Sequence, residues 1–229
     1  MGPKKKYKST SSSYTFDKGL SIYLIIVESP SKCSKIESYL GQNYKCIASK
    51  GHIRELTGLK NTDIKNGFQP NFTLIKEKQS HVQEMKKIIK QYPKHNVILA
   101  TDDDREGEGI AWHICELFDL SVKTTPRILF HEITKKALND AVNAPTKIDI
   151  HLVKAQQARQ ILDILVGFKI SPHLWKHVYS SKDKSLSAGR CQTPALRLIY
   201  DNFQEKKNIT PEKTYKTHGI FTERDIQFL

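Results

Sequence analysis

The chain has 229 residues, 38% of them hydrophobic and 27% charged, enough for a buried core in one large domain or one and a half ordinary ones. No apolar run approaches the ~18 residues of a membrane span, and no charged-apolar-small leader opens the sequence. Lys+Arg 37 against Asp+Glu 24 gives +13 and a pI near 9.5, a balance that points to a polyanionic partner.

Residues 1–21 read as a solvated tail, with Lys4, Lys5, Lys6 and Lys8 ahead of a Ser/Thr-rich stretch. Tyr23–Val27 is a continuous β-prone apolar run, as in a strand buried on both faces. Ser29-Pro30 signals a helix cap, and Gly41 ends that helix after Leu40. A second strand follows at Tyr44–Ala48, then a loop-rich stretch to Pro70, a helix over His81–Gln91 and a buried strand at Asn96–Ala100. A helix over Glu106–Phe118, a short strand at Arg127–Phe130 and a helix over Thr134–Val142 complete the alternation. Strands alternating with helices predict an α/β fold with a mostly parallel sheet covered on both faces. After Pro145 the pattern becomes helical, over Ile150–Val166 and Gln192–Lys206 with a loop at Ser187–Arg190, and an extended segment begins at Thr214. An open strand there would lack its partners. The chain therefore looks cut within a larger protein.

The cysteines Cys33, Cys46, Cys115 and Cys191 are far apart, with no C-x-x-C pair. They read as reduced thiols of an intracellular protein, Cys191 as a small buried residue. Only seven of the 37 basic residues are arginine. An arginine in such a lysine-dominated chain marks a place where a planar fork is needed.

Glu28 follows the first strand directly, and Asp102, Asp104 and Glu106 follow the Asn96–Ala100 strand in the run A-T-D-D-D-R-E-G-E. In extended chain, residues two apart share a face, so these three point together while Asp103 and Arg105 point away. Ligands of parallel sheets bind beyond the carboxyl ends of the strands, and Glu28 meets the acidic run if the two strands are neighbours. Grouped carboxylates repel, and a hard divalent cation such as Mg2+ relieves the repulsion. The plain alternative is a solvated acidic loop at a helix N-terminus. Glu28 on a second strand and the glycines at 107 and 109 favour the metal site. No G-x-x-x-x-G-K-[ST] loop occurs, so nothing in the sequence proposes ATP.

These residues resemble a TOPRIM domain, a Rossmann-like Mg2+-binding module. The runs V-E-S-P-S-K (27–32), S-K-G-H-I-R-E-L (49–56), A-T-D-D-D-R-E-G-E-G-I-A-W-H (100–113) and L-S-A-G-R-C-Q-T-P-A-L-R-L-I (186–199) occur in the order found in type IA DNA topoisomerases. Q-A-R-Q-I-L-D-I-L-V-G-F-K-I-S-P-H-L-W (157–175) is similar to that family's entry into its helical DNA-binding region. One departure is Gly109, where the family usually has alanine.

The resemblance implies a TOPRIM domain over 22–146, a helical single-strand-binding segment over 147–208 and the start of an arch domain over 209–229. It implies catalytic roles for Glu28, Lys32 and Arg105. Glu28, Asp102, Asp104 and Glu106 would hold Mg2+, and His52, Arg159, Asp163, Arg190 and Gln192 would line the DNA. The implied reaction is ATP-independent relaxation of underwound DNA by a monomer, through a tyrosine in a Y-x-R-T-like run. None of the nine tyrosines has that context, so the chain is expected to bind single-stranded and underwound DNA without cutting it. A TOPRIM nuclease or primase, and a non-catalytic single-strand binder, are the rival classes. Trp112 and Trp175 read as core residues, and His113 as packing or capping.

Overall fold

The computed structural model describes residues 22–179, 186–208, 213–216, 218–221 and 224–227. The tail at 1–21 and part of 209–229 lie outside the described residues. Residues to Leu165 belong to one compact unit and those from Val166 to another.

In the first unit the sequence alternation folds as a mixed α/β structure. β1 (Tyr23–Val27) is followed by a 3-10 turn at Pro30–Lys32 and helix α1 (Cys33–Leu40). Ser29 makes no side-chain capping bond; its hydroxyl meets that of Ser31 at 2.8 Å. The tighter turn moves the start of α1 to Cys33 and leaves Lys32 at its N-cap position. Gly41 closes α1 at φ 84°, a left-handed value that glycine adopts without a β-carbon clash.

β2 (Tyr44–Ala48) precedes two small antiparallel ribbons. In these, β3 (Arg54–Glu55) pairs with β6 (Thr73–Leu74), and β4 (Thr62–Asp63) pairs with β5 (Gln69–Pro70). Helix α2 spans Gln79–Ile89, β7 Val97–Ala100, α3 Arg105–Phe118 and α4 Lys135–Asn143. β2, β1 and β7 form a parallel sheet in that order.

The strand expected at Arg127–Phe130 is reduced to a bridge. Arg127 pairs in parallel with Leu99 and antiparallel with Thr146. Leu99 N donates to Pro126 O and Ile128 N to Leu99 O, while the Arg127 amide and carbonyl, facing the other way, pair with Thr146; β7 ends at Ala100, one residue past Leu99, so the parallel ladder closes at Ile128.

Alternation along the strands puts two cores on the two sheet faces. Leu24, Ile26, Val97 and Leu99 pack with Val82, Met85 and Ile89 of α2 and Ile110, Ile114 and Phe118 of α3. Ile25, Val27, Ile98 and Ala100 pack with Cys33 and Ile36 of α1 and Leu138 of α4.

Helix α5 runs over Ile150–His177, past the expected end at Val166 and through Pro172. The second unit holds α6 (Gln192–Asn208) and an antiparallel pair, β8 (His218–Phe221) with β9 (Arg224–Gln227). The late extended segment thus finds its partner within the chain, unlike the open strand expected from the sequence. Cys191 is exposed, against the buried position expected, because it sits in the turn before α6, whose residues are themselves largely exposed; Cys33, Cys46 and Cys115 are buried. Among the described residues, no helix is long and apolar enough to cross a membrane.

Candidate active site

Parallel pairing of β1 with β7, Val27 opposite Ala100, brings Glu28 and the acidic run to the same sheet edge. β2 ends beside them: Ser49 N donates to Val27 O at 2.9 Å and Gly51 N to Glu28 O at 3.3 Å. Gly51, at φ 86°, turns the chain so that His52 follows at that edge.

The acidic run does not stay extended through Glu106. Asp104 is the N-cap of α3, and its carboxylate accepts from Gly107 N at 2.7 Å. The cap starts the helix at Arg105 and puts Glu106 in the first turn, where the helix dipole favours an anion. Gly107 is required there, since a β-carbon would overlap the Asp102 carbonyl. That carbonyl accepts from Arg127 NH2 at 2.9 Å. Arg127 and Glu108 form a buried ion pair at 2.7 Å, both side chains almost wholly inaccessible. Glu108 also accepts from Asp149 N at 2.5 Å.

The carboxylates meet cations of the same unit. Lys32 Nζ lies 2.5 Å from Asp102 Oδ1. Glu106 Oε2 accepts from Gln156 Nε2 at 3.1 Å and lies 3.4 Å from His52 Nε2, while its Oε1 lies 3.6 Å from Arg159. Arg159 lies 3.9 Å from Asp163, one helical turn on. Burial pushes the Glu28 carboxyl above the usual carboxylate range, and Asp102 and Asp104 push it further, against the opposing pull of His52 and Lys32. A carboxyl raised in this way keeps its proton to a higher pH than an ordinary carboxyl does.

Behind these groups, Phe72, Trp112 and His113 make edge-on ring contacts, with Arg54 5.7 Å from the Phe72 and Trp112 ring centres. His113 is fully buried, packs rather than caps, and neither ring nitrogen has a partner. Burial, then Arg54 and His52, pushes its pKa down to about 3.

Glu28, Lys32, His52, Asp102, Asp104, Glu106, Arg159 and Asp163 therefore belong to the first unit, and contacts or mutual electrostatics link them. Arg105 is exposed on the first turn of α3. Arg190 and Gln192 belong to the second unit, both exposed, with Gln192 donating to Ser187 Oγ at 3.0 Å. There Trp175 is partly exposed and donates its indole N–H to the Leu186 carbonyl, so it is no core residue.

Among the described residues, no three His, Cys, Asp or Glu side chains are gathered as the ligands of one ion. The donor chemistry still suits a hard cation, because the set consists of carboxylate oxygens. Lys32 and Arg159 bring positive charge to these carboxylates, and the His52 ring lies against Glu106.

The Toprim domain family matches residues 23–133, and the DNA topoisomerase family matches residues 147–228. The full-length topoisomerase I of Thermotoga maritima is 40% identical over 85% of this chain, with a TM-score of 0.70. The chain is similar to the type IA topoisomerases through both of these matched stretches. It spans 32% of the length of the Thermotoga maritima chain. The Toprim match covers Glu28 through Glu106, and the topoisomerase match covers Arg159 through Gln192.

No motif in the sequence assigns a role to Arg127, Glu108 or Gln156. Arg127 carried a signal, being one of two arginines outside the family-like runs. Glu108 was hidden among four other acids in its run, and nothing in the residue pattern marks Gln156 over Gln157.

Proposed function

We propose that this chain supplies the metal-binding and single-strand-binding part of a type IA topoisomerase active site, in an enzyme that relaxes underwound DNA without ATP. The observation behind this is Glu28 at the end of β1 sharing a sheet edge with Asp102 and Asp104 past β7, with Lys32 on Asp102.

Glu28, Asp102, Asp104 and Glu106 would hold Mg2+, whose charge offsets that of a phosphodiester when bound. Glu28, its pKa raised, moves a proton to or from the scissile oxygen. Lys32 sits on Asp102 in the free chain and turns to a DNA phosphate when one arrives. Arg105, exposed beside the carboxylates, stabilises charge at the same phosphate. His52, Arg159, Asp163, Arg190 and Gln192 line the single strand. The protein acts as a monomer where DNA is kept, inside the cell, on single-stranded and underwound DNA.

Covalent holding of the cut end needs a tyrosine in line with the phosphate. None of the nine here lies in the family's context. The 229-residue chain should therefore bind single-stranded DNA with Mg2+ present and leave it uncut. Incubation with supercoiled plasmid and a labelled single strand, followed by denaturing analysis, tests this. Protein attached to a 5′ end would put the nucleophile within these residues. Nicks without attached protein, lost on Asp102→Asn, would move the function to a TOPRIM nuclease.

A further inference from the structure

The Gln156 side chain is fully buried, yet only half of its amide is satisfied. Nε2 donates to Glu106 Oε2 at 3.1 Å, and Oε1 has no partner. The amide lies against α3 at Gly109, where a β-carbon would come within 3.0 Å of both Cδ and Oε1. Such a contact is tighter than an ordinary van der Waals approach, so the bare backbone of Gly109 is what admits the amide. For the core alone, an apolar side chain of similar size would be the more stable choice, because it buries no unmade hydrogen bond. The polar group is kept at a cost, and the group it serves is Glu106.

We infer that Gln156 is a positioning residue for Glu106. From helix α5 it holds Oε2 and leaves Oε1 with the looser Arg159 contact at 3.6 Å, so that Glu106 presents one fixed oxygen. His52 approaches the same Oε2 at 3.4 Å, but from a side chain about one-third exposed, which fixes orientation less firmly than a buried amide. Arg159, three residues on from Gln156, belongs to the same helix. Any displacement of α5 that moves Arg159 therefore also moves the amide that orients Glu106. This inference rests on the proposal that Glu106 is a cation ligand. It assigns to α5, whose Arg159 was expected only to line DNA, a second task at the carboxylates.

The test uses the whole 229-residue chain and Mn2+, an oxygen-seeking divalent ion whose free form is counted by electron paramagnetic resonance. Gln156→Leu should weaken Mn2+ binding by about tenfold, in line with the loss of a group that orients a metal ligand. Glu106→Gln should weaken it at least as much. The double variant should bind no more weakly than Glu106→Gln alone, because Gln156 acts only through Glu106. Circular dichroism and urea unfolding check that each variant is folded. If Gln156→Leu does not fold, Gly109→Ala replaces it. That change keeps the amide but forces it back by a few tenths of an ångström, and a smaller loss confined to the Glu106 background is expected. Wild-type affinity in the folded position-156 or position-109 variant, or an equal further loss in the Glu106→Gln background, overturns the inference. If wild-type Mn2+ binding survives Asp102→Asn with Asp104→Asn unchanged, the carboxylate site itself is wrong. That outcome is separate from failure of the Gln156 role.

Discussion

Lys32 Nζ, at the head of α1, lies 2.5 Å from Asp102 Oδ1, seventy residues away and past a different strand. The lysine and a divalent cation compete for the same carboxylate. A partly exposed pair of this kind is worth about 0.2–1 kcal/mol. Lys32→Met should therefore tighten Mg2+ binding by about 1.4- to fivefold. The same change should weaken single-stranded DNA binding and flatten its salt slope by about 0.7. Calorimetry for Mg2+ and a salt series for DNA check the two signs together. A fall in both affinities would mean that Lys32 supports the fold of the site and does not compete for it.

Arg127 and Glu108 form the buried pair beneath this edge, and Arg127 also holds the Asp102 carbonyl. Removing one member leaves the other charged and unpaired in the core. Arg127→Met should cost about 3–5 kcal/mol in urea unfolding. Adding Glu108→Gln should recover part of the loss, because the stranded charge goes while an amide oxygen can still accept from Asp149 N. A double variant as unstable as the single one would show that the Asp102 contact carries the stability.

His113 gives a pH signature. Burial pushes its pKa down to about 3, against 6.5 for an ordinary imidazole. As pH falls through that interval, the unfolded chain takes up a proton that the native chain refuses, so stability declines. His113→Phe keeps an aromatic ring beside Phe72 and Trp112 and removes two orphaned nitrogens. The variant should gain about 1 kcal/mol or more at neutral pH. Its melting temperature should fall less steeply than wild type between about pH 6.5 and 3. Parallel curves for the two proteins would indicate that His113 is hydrated and titrates normally.

The sequence carried the sheet and its edge more clearly than the chemistry of the site. Tyr23–Val27 and Asn96–Ala100 are apolar throughout because both faces of β1 and β7 are covered, and their pairing puts Glu28 near Asp102. The strand expected at Arg127–Phe130 shortens to a bridge because its neighbour β7 ends at Ala100, one residue past the Leu99 that Arg127 pairs with, and the local sequence of 127–130 does not show where that neighbour ends. Alternation through Asp102, Asp104 and Glu106 presumed extended chain, whereas the Asp104 cap turns it into helix first. Gln156 was invisible for a related reason: its significance is the approach to Gly109 and Glu106, forty-seven and fifty residues away.

The central claim is that these carboxylates form a cation site, and Mg2+ titration calorimetry of wild type against Asp102→Asn with Asp104→Asn tests it most directly. Asparagine at 104 can still cap α3, so the double variant should remain folded. The account predicts that wild type binds Mg2+ and that the folded double variant loses most of that binding. Unchanged Mg2+ affinity in the folded double variant would contradict it.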